Sequence, residues 1–305
     1  MSSEIRYTDL QINGCLGIDF SSPDLTADQF LTAAEYVFNA GTWLFLPTIV
    51  TSPPEIYRRN LNLIRQTAES HGLLDRIPGV HLEGPFISPT PGAVGAHRPE
   101  YVRDPDVAFF DEIMDRSQGY VKLLTVAAER PGACELISHA SAAGVVVSCG
   151  HQMAETAELQ AAAKAGARLL THLGNGCPNL IHRHHNMIWS GMACDDLTAM
   201  IITDGHHLPP ELIKCIIRTK GVDRVIITSD MVLAAGLPPG RYDCFGNDAV
   251  LEPDGLFHNP KKGCLIGATA SVRECADHVR KLGIATEEEI IRMASTNPLK
   301  MIGMA

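Results

Sequence analysis

Two histidines, His151 and His172, stand 21 positions apart, and each directly follows an apolar run. Val145-Val146-Val147-Ser148-Cys149-Gly150 precedes the first and reads as a buried parallel strand; Ala167-Arg168-Leu169-Leu170-Thr171 precedes the second. Between them lies an alanine-rich helix, Ala154 to Ala163, with Gly166 to stop it. That spacing is about one strand–helix repeat, so both imidazoles are predicted at the C-terminal ends of neighbouring parallel strands, the edge where α/β proteins bind ligands. Imidazole at such a place suits divalent zinc. Two strand-end histidines can also merely hydrogen-bond loop backbone, but a pair in register favours ligation. Glu83, after the apolar run Ile77 to Leu82, adds a carboxylate. One carboxylate and two imidazoles with an open fourth position is the usual composition of a catalytic zinc site, which lowers the pKa of a water toward about 7 and polarises a carbonyl. Asp230, at the end of Arg224-Val225-Ile226-Ile227-Thr228-Ser229, is placed to take the water's proton and deliver it to a leaving nitrogen. A lone Asp there otherwise caps a turn.

The elements needed to position these groups recur along the whole chain. Strands are predicted at Thr8–Gly14, Trp43–Val50, Ile77–Leu82, Tyr120–Ala127, the two histidine runs, Leu197–Ile202 and Arg224–Thr228. Helices are predicted at Ala27–Asn39 behind the cap Thr26, at Glu55–Ser70, at Ala133–Ala143 and from Pro209 to Arg218. Thr269–Leu282 and Thr286–Ser295 read as closing helices, and Asn247–Leu265 as a β-hairpin insertion turning at Pro253-Asp254-Gly255 and Pro260-Lys261-Lys262-Gly263. A loop rich in Pro and Gly, Ile87–Asp104, is long enough to be functional. Eight strands alternating with helices, with no linker and no Gly-rich phosphate turn after the first strand, predict a single (β/α)8 TIM barrel over residues 1–305.

Composition narrows the function classes. The 305 residues are 45% hydrophobic and 20% charged, with mean hydropathy +0.04, as in an ordinary globular enzyme. A net charge of −10 with scattered basic residues argues against a nucleic-acid surface. Met1 to Asp9 lacks an apolar core and no apolar run reaches about 18 residues, so neither a signal peptide nor a membrane span is expected. Nine cysteines, none in a C-x-x-C pair and several (Cys134, Cys149, Cys215, Cys275) inside predicted elements, read as reduced core thiols of a cytoplasmic protein.

The chain resembles the N-acetylglucosamine-6-phosphate deacetylases of the amidohydrolase superfamily, metal-dependent TIM barrels. The motifs that carry the resemblance are His81-Leu82-Glu83-Gly84-Pro85-Phe86, Gly95-Ala96-His97, Gly150-His151, Thr171-His172-Leu173-x-Asn175, Asp204-Gly205-x-His207 and Thr228-Ser229-Asp230, in that order. Each is weak alone; the string is specific and spans about Asp9 to Met304. It implies a metal site at Glu83, His151 and His172 with Asp230 as general base and then acid. It further implies that His207 contacts the sugar or the reacting carbonyl, that Asn175, the Gly176 backbone and Arg183 hold the phosphate, and that His97 touches substrate. Arg suits phosphate because its planar fork matches the oxygens. The partner is then a small amino sugar phosphate.

Some residues depart from the family. Gln11-Ile12-Asn13 stands where many amidohydrolases carry His-x-His, and no lysine ends strand four, so one divalent ion per chain, zinc, is expected. Gly174 replaces a frequent aromatic and Met231 a usual small residue, both expected to alter the pocket wall. His182-Arg183-His184-His185 is basic enough to extend an anion site, or is a solvated loop. The small β-domain that flanks the family's barrels is largely absent from this chain, an expectation that leaves apolar surface for a second subunit and so predicts a homodimer. Two other readings stay open: a different amidohydrolase (deaminase, cyclic-amide or acyl-amino-acid hydrolase), or a sugar-phosphate-binding barrel without turnover.

Overall fold

A computed structural model describes residues 5–305. Eight strands pair in parallel in chain order: β1 Tyr7–Ile12, β2 Thr42–Val50, β3 Val80–Glu83, β4 Val121–Val126, β5 Val146–Cys149, β6 Leu169–Leu170, β7 Thr198–Ile202 and β8 Val225–Thr228. The ring closes between β8 and β1, where the Asp230 amide donates to the Gln11 carbonyl (3.1 Å) and the Asn13 amide to the Met231 carbonyl (2.7 Å). This is the predicted (β/α)8 barrel. Its outer layer is α1 Ala27–Asn39, α2 Pro54–Ser70, α3 Val107–Ser117, α4 Ala133–Ala142, α5 Thr156–Ala165, α6 Met187–Ala193, α7 Pro210–Lys220 and α8 Val272–Leu282. Thr26 caps α1 as expected, its hydroxyl accepting from the Gln29 amide while the Gln29 side chain accepts from the Thr26 amide.

Strand periodicity explains how the barrel carries both a core and a site. Leu10, Leu44, Leu46, Leu123, Leu169, Met200 and Ile226 fill the lower barrel, with Ile302 from the C-terminal segment packed among them. Their neighbours Phe45, Leu124, Ile201 and Ile227 face outward into the larger core beneath the helices. Counting on by two, the inward positions turn polar toward the mouth: Leu46 gives Thr48, His81 gives Glu83, and Ile226 gives Thr228 and then Asp230. Apolar side chains thus close the bottom, hydroxyls and the buried His81 form the middle, and ionisable groups crown the top.

Several boundaries differ from the sequence expectation. The β6 ladder is only two residues long, because chain turns at once into His172. In place of a hairpin over 247–265 there is a four-stranded antiparallel sheet: β9 Gly240–Cys244, β10 Asn247–Leu251, β11 Phe257–Asn259 and β12 Cys264–Leu265. Its first strand escapes notice since it is short and only Cys244 of it is buried. Neither α3 nor α6 carries a strong sequence signature; α6 contains Ser190 and Gly191 and depends on Asn186, whose side chain accepts from the Ile188 and Trp189 amides. The last predicted helix begins as α9, Glu287–Ile291, passes through a π-helical turn, Arg292–Thr296, and ends as α10, Asn297–Met301. All nine cysteines are free, but Cys134 and Cys215 are exposed on α4 and α7 and are not core thiols. No helix of the described residues is long and apolar enough to cross a membrane.

Candidate active site

Glu83 ends β3, and His151, His172 and Asp230 each lie two residues past β5, β6 and β8. Those last three all adopt left-handed backbone (φ 48°, 29° and 57°), half of the six non-glycine residues that do so among the described residues. Such a conformation costs roughly 1–2 kcal/mol per residue, and here it turns each side chain back over the barrel axis immediately after its strand. Gly176, itself at φ 60°, lets the following loop close over the pair: a Cβ there would sit 3.0 Å from His151 Nδ1 and 3.1 Å from His172 Cε1.

The four groups converge as the spacing predicted. Glu83 Oε1 lies 2.8 Å from His172 Nε2 and 3.3 Å from His151 Nε2, and the two nitrogens are 3.1 Å apart. His97, delivered by the long loop after β3, joins them: its Nε2 is 3.2 Å from His151 Nε2 and 3.5 Å from Glu83 Oε2. All four are buried. Two overlapping trios could therefore hold an ion, Glu83/His151/His172 and Glu83/His97/His151, the ligand atoms of the latter all lying within 4.8 Å of one another.

Hydrogen bonds at Nδ1 distinguish His151 from His97. His151 Nδ1 is 2.7 Å from the Ala93 carbonyl and donates to it, which leaves the Nε2 lone pair free for the centre. His97 Nδ1 instead accepts from the Thr51 amide at 3.2 Å, so a neutral His97 carries its proton on Nε2 and presents a donor. His172 Nδ1 is buried without a partner. Imidazole nitrogens converging on a carboxylate are donor types that fit a divalent ion.

The electrostatics agree. Burial raises the Glu83 carboxyl, but hydrogen bonds from His151, His172 and His97 outweigh it and hold the group well below the usual carboxylate range. Burial lowers His172, yet its bond to Glu83 together with the Glu83 and Asp230 charges raises it more. His97 is pushed down to about 4 by burial and by the neighbouring His151. Asp230 moves the other way, up to about 6, because burial and the Glu83 charge exceed the lowering effect of His172, His207 and Asn13.

Gln11 and Asn13 were noted from sequence only as replacements for ligands; the structure gives them a positive task. Gln11 Nε2 donates to both Glu83 Oε1 (2.8 Å) and Asp230 Oδ1 (2.9 Å), and Asn13 Nδ2 donates to Asp230 Oδ1 (2.7 Å). Asp230 Oδ1 is thereby saturated, and Oδ2 remains open toward the cavity. Below them Asp9 accepts from Thr228 Oγ1 (2.6 Å) and the Ser229 amide (3.2 Å), fixing the turn that carries Asp230. Two amides two residues apart at the end of a first strand were the available signal.

A cavity of about 380 Å³ opens above this cluster. Glu83, His97, His151, His172, Asn175, Gly176, His207 and Asp230 all line it. His207 Nδ1 is 2.8 Å from Asp204 Oδ2, which fixes the ring and leaves Nε2 for a ligand; Asp204 is held far below its usual value because the His207 bond and charge, with the His206 and His207 amides, together outweigh burial. Asn175 Nδ2 is buried without a partner. Arg183 is not brought to this cavity: it is on the exposed His182–His185 loop, its carbonyl accepting from Trp189 Nε1. Gly174 lines the cavity, at φ 100°, where a Cβ would approach Leu208 Cδ2 to 2.7 Å, so the backbone here excludes an aromatic. Met231, expected in the wall, is 1% exposed and bridges β1 to the Ala268 segment outside the lining.

The Amidohydrolase family model matches residues 4–305. The chain belongs to the amidohydrolase family. It is 32% identical over 301 residues to N-acetylgalactosamine-6-phosphate deacetylase of Escherichia coli O157:H7, covering 98% of this chain and 77% of that protein. It is 31% identical over 304 residues to N-acetylglucosamine-6-phosphate deacetylase of Bacillus subtilis (strain 168), covering 97% and 74%. Among solved structures, N-acetyl-D-glucosamine-6-phosphate deacetylase from Mycobacterium smegmatis superposes with a TM-score of 0.89 at 28% identity, over 98% of this chain and 78% of that one. A mutant of the M. smegmatis enzyme is in complex with N-acetyl-D-glucosamine-6-phosphate.

Proposed function

We propose that this amidohydrolase removes the acetyl group from N-acetylglucosamine 6-phosphate, or a closely related N-acetylamino sugar phosphate, releasing acetate and the amino sugar phosphate. The observation that carries the reading is Asp230: one oxygen saturated by Gln11 and Asn13, the residue lining the same cavity as Glu83, His151 and His172. A barrel that only bound sugar phosphate would have no use for a buried carboxyl poised near 6 beside that cluster.

Glu83, His151 and His172 would hold one divalent ion, zinc, with His97 left as a donor to substrate. Bound there, the ion supplies Lewis-acid polarisation of the amide carbonyl and lowers the pKa of a water. Asp230 Oδ2 takes the water's proton as the C–O bond forms and passes it to the amide nitrogen as the C–N bond breaks. His207, oriented by Asp204, steadies the sugar or the carbonyl oxygen. Asn175 Nδ2, lacking any protein partner, and the Gly176 backbone face the phosphate. Arg183 reaches that phosphate from a second copy: it lies in an exposed apolar neighbourhood, Leu180 at 93%, Ile181 at 36% and Trp189 at 52%, that supports a homodimer. Nine free thiols support a reducing, cytoplasmic setting.

The test is acetate release, with metal content measured on the same sample, from N-acetylglucosamine 6-phosphate, its galactosamine epimer and unphosphorylated N-acetylglucosamine. Turnover of a phosphorylated sugar far above the unphosphorylated one is expected. Metal-loaded protein that released no acetate from either phosphate would refute the proposal.

A further inference from the structure

A second cavity, of about 510 Å³, lies beside the catalytic one and is larger than it. It is bounded by the loops after β1 and β2, the Arg98–Tyr101 segment and the tip of the β9–β10 hairpin. Val50 and Phe245 line both cavities and form the partition between them. Nothing in the deacetylation chemistry uses this space.

Its lining is strongly biased in charge. Asp19, Asp24, Glu55 and Asp243 face it against a single guanidinium, Arg98, whose Nε is bonded to the Phe245 carbonyl (3.3 Å). Asp19 Oδ1 accepts from the Ser21 amide at 2.7 Å, while Asp19 forms no ion pair among the described residues. Burial, and secondarily the Asp243 charge, push its carboxyl up to about 7 against the effects of Ser21 and Arg98, the state of an acid short of a cation. Independently of the acids, Ser52 is only 6% exposed and lines the same cavity, and its hydroxyl has no hydrogen-bond partner among the described residues. Ile56, Leu233 and Phe245 supply apolar wall.

We infer that this cavity is a binding site for a small hydroxylated primary amine, of the size of one sugar ring and without phosphate. The carboxylates would take the ammonium, with Asp19 the deepest of them. The Ser52 hydroxyl would pair with a ligand hydroxyl, and the apolar wall would cover the C–H face of a ring. An inorganic cation would leave that wall wet. A phosphorylated amine would bring a dianion against four carboxylates and be repelled. The inference stands on the second cavity alone and does not require the deacetylase reading.

The probe is glucosamine, titrated calorimetrically against the full chain, with N-acetylglucosamine and glucosamine 6-phosphate as comparators. Wild type and Asp230→Asn should each bind about one equivalent of glucosamine, in the millimolar range or tighter. Both comparators should bind this site at least tenfold more weakly. Asp19→Asn keeps the acceptor for Ser21 and should keep acetate-releasing activity, but should weaken glucosamine binding at least tenfold, the loss of one charge-assisted hydrogen bond. Unchanged binding in Asp19→Asn, no saturation by about 10 mM, or binding lost in Asp230→Asn would each overturn the inference, the last by locating the amine in the catalytic cavity.

Discussion

Asp230→Asn separates a proton-transfer role from every structural one, because the geometry predicts opposite effects on rate and stability. The amide oxygen of Asn can keep both bonds now made to Oδ1 by Gln11 and Asn13, at 2.9 and 2.7 Å. What is lost is the basic oxygen on the cavity side. Turnover should therefore fall by roughly 10²–10⁴-fold, about 3–5 kcal/mol of barrel-mouth chemistry, with substrate affinity changed little. Stability of the metal-free chain should move the other way. A carboxyl held near 6 in the fold, against 3.8 ordinarily, binds its proton more tightly when folded. Its stabilisation is complete below about pH 4 and is lost as the pH rises through 6, a difference of about 2–3 kcal/mol above pH 7. The Asn variant lacks this loss and should unfold at higher temperature than wild type at pH 8, the gap closing by pH 4. The assay pairs acetate release with thermal unfolding at both pH values and metal analysis throughout. Near-normal turnover would refute the general-base role. Loss of the metal together with activity would instead make Asp230 a fourth ligand.

Three further outcomes are expected. His172→Asn should abolish tight metal binding, as should Glu83→Gln, whereas His97→Asn should retain about one ion per chain and lose activity; the reverse order would favour the Glu83/His97/His151 trio. Arg183→Ala should raise KM for the sugar phosphate about tenfold, the scale of one lost phosphate contact, leave metal content intact and be complemented in mixed dimers; a monomer by light scattering at micromolar concentration would sink that role. Asp204 is held below its ordinary 3.8 because the His207 bond and charge, with two backbone amides, together outweigh burial, so its contribution to stability is present above about pH 4 and lost as the pH falls further; the thermal advantage of wild type over Asp204→Asn should be full at pH 6 and shrink by pH 3.

The barrel was legible in the chain because its strands are short, apolar and β-branched and its helices end at glycines, and because parallel strands buried on both faces leave no ambiguity of face. Glu83, His151, His172 and Asp230 were legible for the same reason: strand-end positions translate directly into the mouth. His97 was not assigned to the metal cluster, since a residue in the middle of a long Pro- and Gly-rich loop has no register to place it. Gln11 and Asn13 were read as missing ligands, since amide side chains announce neither charge nor tautomer. Arg183 could not be placed by spacing: its type matches phosphate, but it lies on an exposed loop with no strand register and does not line the cavity of its own chain. The strand Gly240–Cys244 was missed because only Cys244 in it is buried, so its alternation carries little apolar content to mark it.

The amide pair also explains how Asp230 can be both fixed and titratable. Histidines at positions 11 and 13 would offer lone pairs to a second cation, whose charge would drive Asp230 far down and cost it basicity near neutral pH. Gln11 and Asn13 offer neutral N–H groups instead: enough to orient Oδ1, too little to cancel the burial and the Glu83 charge that raise the carboxyl to about 6. Because Gln11 Nε2 is shared between Glu83 and Asp230, any shift of the carboxylate that grips the cation is felt by the one that moves the proton. Their carbonyl oxygens, Gln11 Oε1 and Asn13 Oδ1, are buried and unpaired, so what the first strand contributes to the mouth is direction rather than charge. Amides at these two positions, which offer no imidazole lone pair to a second cation, are the physical ground for expecting a single one.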